Sequence, residues 1–202
     1  MERRDFILHS GMLAAFGLTT THVLAEAADD RKLLQPFLLP AQEPLQHNGG
    51  LQIRTLVRSA MTGGVYSNVE TAVGPKLMGP PPHYHKELDE LMLVLEGTAS
   101  VLVGDEVVRV TAGSWHMRPR MIKHTFWNAE DTGLRFIDMY FNQPFEEYLE
   151  KIFFELNDAH GYPEGSEKKN QALAALNEQF GLVFPADAFA QYDAIKNEYG
   201  LK

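Results

Sequence analysis

The stretch Pro80-Pro81-Pro82-His83-Tyr84-His85-Lys86-Glu87-Leu88-Asp89-Glu90 contains two histidines and a glutamate at close spacing. In a β-strand successive side chains point to opposite faces, so His83 and His85 point the same way while Tyr84 points the opposite way. Two imidazoles on one face of a strand can chelate a single ion. Glu90 starts the next apolar run and adds a carboxylate to the same region.

A third histidine follows in the segment Pro119-Arg120-Met121-Ile122-Lys123-His124. Three neutral imidazoles and one carboxylate suit Mn, Fe, Co, Ni, Cu or Zn, and such a set can leave one or two coordination positions open. We therefore predict a site for one divalent transition metal ion of unspecified identity, with the ligands His83, His85, Glu90 and His124.

Short β-type runs surround these residues, and paired turn residues such as Gly63-Gly64 and Gly104-Asp105 separate them. This spacing indicates an antiparallel sandwich or barrel. A parallel sheet is disfavoured because no long helix lies between the runs. We predict a barrel over residues 51–142, preceded by an extended leader over 28–50. The clearest runs are residues 51–57, 91–95, 99–103 and 134–140.

The apolar period changes after Pro144 to that of a helix. Apolar residues between Phe145 and Leu156 recur at three- and four-residue intervals, which predicts one helix with an apolar stripe. Ser166 can cap a second helix that ends near Gly181, and a third is predicted over residues 185–199. Residues 143–202 are thus a helical extension that packs on the barrel or on a partner.

The chain resembles the cupin family in two motifs. Both motifs are present at the family spacing. The first consists of His-x-His followed by Glu and Gly, and the second consists of Gly, Pro, His and Asn. Leu77 and Met121 stand where the family has glycines that serve turns, whereas every ligand position is filled. The matching residues are His83, His85, Glu90 and Gly97 for the first motif and Gly113, Pro119, His124 and Asn128 for the second.

The wider resemblance is to bacterial single-domain cupins related to quercetin dioxygenases. It rests on the triple proline and on the segments 143–147 and 180–184. The resemblance implies a mainly β fold, a jelly-roll antiparallel β-barrel with C-terminal α-helices. It also implies a homodimer, as is common among such cupins.

The same resemblance implies an oxidoreductase, namely a dioxygenase acting on a small enol or phenol. Glu90 would be a ligand only, or also the acceptor of the substrate's hydroxyl proton. Strand alternation places Met92 and Val94 on the Glu90 side and Phe126 on the His124 side, which predicts an apolar pocket wall or plain core packing. Asn128 would contact the substrate or fix a loop.

Two other functions remain open, because this fold and site serve several activities. One is a metal-dependent isomerase or decarboxylase, which would need no oxygen and would favour a more charged pocket. The other is a periplasmic binding or sensing protein that retains a small molecule without turnover.

Composition excludes several classes of site and partner. The 202 residues carry a formal net charge of -9, which disfavours nucleic acid as a partner. The chain has no cysteine, so disulfides, zinc–thiolate sites, iron–sulfur clusters and cysteine nucleophiles are excluded.

The first 27 residues resemble a twin-arginine export signal. Arg3-Arg4 precedes an apolar stretch, and Ala25 and Ala27 give the small-x-small pattern of a cleavage site. The alternatives are an ordinary secretory signal and a retained helix. Polar residues interrupt the stretch, so we expect no stable membrane anchor. The predicted location is periplasmic or secreted.

Overall fold

The computed structural model describes residues 34–202, so the predicted signal peptide over 1–27 lies outside the described residues. Residues 34–46 have no regular secondary structure and are mostly exposed. The strands that follow are β1 (Leu51–Val57), β2 (Tyr66–Val73), β3 (Leu77–Met78), β4 (Tyr84–His85), β5 (Asp89–Glu96), β6 (Thr98–Val103), β7 (Glu106–Thr111), β8 (Trp115–Arg118), β9 (His124–Asn128), β10 (Leu134–Phe141) and β11 (Leu182–Val183).

The strands form an antiparallel barrel, as predicted. One wall is a five-stranded sheet in the order β1-β2-β10-β5-β8, and the other is a four-stranded sheet in the order β3-β9-β6-β7. Strand β11 pairs with β4, and this links the C-terminal part of the chain to the strand that carries His85. The barrel core contains Val94, Val101 and Phe136, all with 0% exposure.

The outer side of the five-stranded sheet carries a buried ionic cluster. Glu70 is only 3% exposed and accepts hydrogen bonds from Arg54 and Arg135. Burial by itself would raise the pKa of Glu70, but the two arginines lower it below its ordinary value. This carboxylate therefore ties β1, β2 and β10 together in its ionised form.

Three α-helices follow β10 in the described part of the chain, and their bounds are close to those expected. Helix α1 (Phe145–Glu150) continues directly into a π-helical turn over Lys151–Glu155. Helix α2 (Glu167–Gln179) begins after Ser166, whose hydroxyl accepts a hydrogen bond from the Lys169 backbone N–H at 3.2 Å. Helix α3 (Ala188–Tyr199) begins three residues later than the predicted position 185.

The helical extension packs against the barrel. Phe145, Tyr148 and Phe180 share one apolar cluster with Ile53 and Tyr140 of the barrel strands. The extension therefore belongs to the same core as the strands. No helix within residues 34–202 combines the length and the apolar run that a bilayer crossing requires.

Candidate metal centre

The barrel brings His83, His85, Glu90 and His124 together. His83 and His124 face each other across an antiparallel bridge closed by two backbone hydrogen bonds, of 3.0 and 2.8 Å. His85 comes from β4 and Glu90 from β5. One donor atom from each of the four side chains lies within 4.8 Å of the other three, and all four residues are buried.

The hydrogen bonds of the imidazoles suit metal ligation. Nδ1 of His83 lies 2.8 Å from the Pro81 carbonyl oxygen, and Nδ1 of His124 lies 3.0 Å from the Ile122 carbonyl oxygen. A carbonyl can only accept, so Nδ1 carries the proton in both rings and Nε2 keeps a free lone pair. The buried Nε2 of His124 has no hydrogen-bond partner among the described residues. A buried nitrogen with a free lone pair and no hydrogen-bond partner is suited to binding a cation.

The charges around the cluster favour the same conclusion. Burial and the neighbouring His124 and His85 hold the pKa of His83 well below its ordinary value, so this imidazole is neutral at pH 7. Burial would raise the pKa of the Glu90 carboxyl, but Arg118 and His124 bring it well below its ordinary value. Neutral imidazoles and an ionised carboxylate are the forms that bind metals. The four residues could therefore hold one metal ion.

Met121 shapes the loop that leads to His124. Its φ is 64°, the left-handed conformation that glycine adopts without strain, and its backbone N–H donates to the His85 carbonyl oxygen at 2.8 Å. The loop thus has a conformation that favours glycine, although methionine occupies the position. The bond to His85 joins two of the ligand-bearing segments.

A cavity of about 260 Å³ adjoins the cluster. His83 and Glu90 line it, while its remaining wall is largely apolar and aromatic. The helical extension supplies much of that wall through Phe145, Tyr148 and Phe184. An ion at the cluster would therefore face a small, mostly apolar cavity.

Only part of the predicted pocket lines this cavity. Phe126 lines the cavity, and it packs edge-on against Phe136 at 5.0 Å between ring centroids. Met92 and Val94 are fully buried in the barrel core and do not line the cavity. Alternation does place them on the Glu90 face. A strand rises about 3.3 Å per residue, however, so they lie about 7 and 13 Å further along β5.

Asn128 also lies away from the cavity, in contrast to the predicted substrate contact. Its amide donates to the carbonyl oxygens of Val73, Gly74 and Thr132, and its Oδ1 accepts from the Glu130 backbone N–H. These hydrogen bonds join the loop between β9 and β10 to the end of β2. This is the structural alternative that the sequence had left open.

Sequence reasoning missed four polar residues of the cavity wall, Thr71, Arg118, Asp138 and Tyr140. A signal for one of them was present in β10. Leu134, Phe136 and Tyr140 alternate on its buried face, and Asp138 occupies the same face. A carboxylate on the apolar face of a strand is expensive to bury, so it points to a partner or to a function.

Comparison with protein families gives one match, and it lies in the barrel region. Residues 70–140 match the family model of the cupin domain, which supports the cupin superfamily and agrees with a jelly-roll fold. No curated protein sequence matches the chain.

Solved structures with partial similarity include three from bacteria. An RmlC-like cupin from Shewanella frigidimarina is 22% identical, with a TM-score of 0.42 over 50% of this chain and 83% of its own. A predicted oxalate decarboxylase from Thermotoga maritima is 16% identical, with a TM-score of 0.43 over 45% and 79%. The polyketide cyclase RemF from Streptomyces resistomycificus is 23% identical, with a TM-score of 0.42 over 51% and 71%.

Proposed function

We propose that this protein is a metal-dependent cupin oxidoreductase, a dioxygenase that acts on a small enol or phenol. One observation carries the proposal: the buried cluster of three histidines and one glutamate opens through His83 and Glu90 onto an apolar, aromatic cavity. A divalent transition metal bound there would act as a Lewis acid and as a template for substrate and oxygen.

The residues around the cavity have distinct roles in this proposal. Phe126, Phe145 and Phe184 form apolar walls that hold the body of the substrate and exclude water. Glu90 borders the cavity and is held ionised, so it is the candidate acceptor of the substrate's hydroxyl proton.

The balance of charge favours a substrate with a single oxyanion. A divalent ion and Arg118 carry three positive charges, while Glu90 and Asp138 carry two negative ones, which leaves one positive charge for the substrate to neutralise. Arg118 is the only cationic side chain that lines the cavity within the described residues, and it is already paired with both carboxylates. An enolate or phenolate suits this site better than a sugar phosphate, which disfavours the isomerase alternative.

Elemental analysis and oxygen uptake test this function. The purified protein should contain close to one transition metal ion per chain, and the metal-loaded protein should consume oxygen with at least one member of a panel of flavonols and β-diketones. The variant His83→Ala should do neither. Tight retention of a panel member without oxygen uptake or product would instead indicate a binding protein. Metal-loaded protein that neither binds nor oxidises any member would refute the proposed substrate class.

Homodimer formation is a further part of the proposal. Trp115 and Met117 lie on β8, an edge strand, with 54% and 44% of their surface exposed, and such apolar area is what a second copy would cover. Light scattering coupled to size-exclusion chromatography should give the mass of two chains. The variant Trp115→Glu should shift the mass toward that of one chain, and a wild-type monomer would refute the pairing.

We also propose export through the N-terminal segment, with the mature protein in the periplasm or outside the cell. The support is the Arg3-Arg4 pair, the apolar stretch and the small residues near position 27. Cell fractionation of the full-length protein tests it. Replacing both arginines with lysine should retain the protein in the cytoplasm if the twin-arginine route is used.

A further inference from the structure

A row of polar side chains crosses three neighbouring strands beside Glu90. The strand register places Arg118 of β8 opposite Glu90 on one side and Tyr140 of β10 opposite it on the other. Asp138 lies on the same face of β10, two residues before Tyr140. All four residues are at most 4% exposed and line the cavity. This row is built into the barrel wall rather than placed on a flexible loop.

The two oxygens of Glu90 have different neighbours. Oε1 lies 2.8 Å from Nε2 of His85 and 3.5 Å from Nε2 of His124. Oε2 lies 2.9 Å from Nη2 of Arg118. One oxygen is thus directed at the imidazole cluster, and the other is held by the guanidinium. A rotation of the carboxylate would break the ion pair with Arg118.

Asp138 in turn holds Arg118. Its Oδ1 pairs with the same Nη2, and its Oδ2 lies 3.4 Å from the hydroxyl of Tyr140, which donates to it. The result is a chain of contacts from Tyr140 through Asp138 and Arg118 to Glu90. A guanidinium fixed in this way can fix the carboxylate beyond it.

We infer that Arg118, anchored by Asp138, is a positioning residue that keeps Oε1 of Glu90 turned toward the three histidines and thereby sets the affinity of the site for its metal ion. This inference rests on the proposed metal site. Outer-sphere partners of metal ligands typically account for 10- to 100-fold in metal affinity, because they hold the ligand in its binding orientation.

Two physical effects of Arg118 on metal binding oppose each other. Its positive charge repels a cation, whereas its hold on Glu90 orients a ligand. Asp138 offsets most of the repulsion, because the buried pair has no net charge and its field falls off faster than that of a single ion. The orientation of Glu90 by Arg118 should therefore affect metal binding more than the repulsion does. The sign of the change in metal affinity then separates a positioning role from a purely electrostatic one.

The chain offers a matched control in Arg120. Its backbone N–H donates to Oδ1 of Asp89 at 2.9 Å, and its Nε to the same oxygen at 3.1 Å. This second arginine–carboxylate pair is one residue from Glu90 and two from Arg118, but Arg120 is 39% exposed. Arg120→Gln removes an arginine from the same region without touching the proposed ligands.

The test uses manganese(II) alone as the probe. Metal-free wild type, Arg118→Gln, Arg118→Lys and Arg120→Gln are titrated with manganese(II), with electron paramagnetic resonance reporting both free ion and the spectrum of bound ion. We expect the dissociation constant of Arg118→Gln to rise about 10- to 100-fold with an altered spectrum. Arg118→Lys should recover part of the loss, and Arg120→Gln should match wild type. Unchanged or tighter binding by Arg118→Gln with the wild-type spectrum would overturn the inference.

Folding is checked first, because loss of Arg118 leaves Asp138 as an unpaired buried charge. If Arg118→Gln does not fold, the double variant Arg118→Gln/Asp138→Asn, which leaves no unpaired aspartate, takes its place with the same expected loss. Asp138→Asn alone should weaken binding less, since Arg118 still contacts Glu90. Wild type that binds no divalent metal would refute the proposed function itself, whereas wild-type binding with no effect of Arg118 would refute only this inference.

Discussion

Alanine substitutions at Gly97 and Gly104 can separate two costs of a side chain in a turn, namely steric overlap and backbone strain. Both glycines are left-handed, with φ of 76° and 59°, and they flank β6 at its two ends. A Cβ at Gly97 would lie 2.6 Å from the Gly133 carbonyl oxygen and 3.2 Å from the Leu134 Cα, whereas a Cβ at Gly104 meets nothing within 4 Å. Alanine at either position would have a strained backbone conformation, but only Gly97→Ala adds an overlap with backbone atoms.

The expected magnitudes follow from these distances. Left-handed alanine costs about 1–2 kcal/mol, so Gly104→Ala should lower the free energy of unfolding by about 1 kcal/mol. The overlap adds roughly 1–3 kcal/mol, and this brings Gly97→Ala to about 3 kcal/mol. At about 2–4 °C per kcal/mol, the melting temperatures should fall by about 3 and 9 °C.

Urea denaturation of both variants, followed by circular dichroism, measures the two free energies. Gly97 lies seven residues from Glu90 along the chain, a distance of about 23 Å in a strand, so manganese(II) binding by the folded variants should stay at the wild-type value. Equal losses for the two variants, within about 0.5 kcal/mol, would refute the steric argument.

Four further predictions concern single residues. His124→Ala should abolish stoichiometric metal in elemental analysis, because it removes an unpaired donor from the cluster. Asn128→Ala should cost about 2–4 kcal/mol in chemical denaturation through its lost backbone hydrogen bonds, yet leave the manganese(II) dissociation constant unchanged. Met121→Gly should raise the free energy of unfolding by about 1 kcal/mol, because glycine adopts φ of 64° without strain. Glu70→Gln should destabilise the protein by about 2 kcal/mol at pH 7. The pKa of Glu70 is lowered in the folded state, so the difference in the free energy of unfolding between variant and wild type depends on pH. This difference should shrink as the pH falls below the ordinary glutamate pKa and vanish below the folded pKa. Denaturation at several pH values would measure it.

Local patterns predicted the elements of this fold well. The run over residues 51–57 is β1 with the same bounds, and Ser166 caps α2 as its position before the apolar stripe indicated. These predictions succeeded because strand alternation, helical period and caps depend on neighbouring residues. Glycine-like geometry at Met121 was not predictable in this way, because the surrounding loop, through the hydrogen bond to the His85 carbonyl, imposes it.

The pocket was predicted less well, and the reason is geometric. Alternation tells which face of β5 Met92 and Val94 occupy, but not how far along the barrel the cavity extends. Phe145 and Phe184 are distant from His83 in the sequence, and they reach the site only because the helical extension folds back and β11 pairs with β4.

The side chains that could bind a metal were identifiable from the sequence, because the type and spacing of His83, His85, Glu90 and His124 are local properties of two short segments. The neighbours of these four residues, in contrast, depend on how distant strands pair. Arg118 and Asp138 stand beside Glu90 through the register of β8 and β10 against β5. That register is set by packing across the whole sheet, so no single segment encodes it.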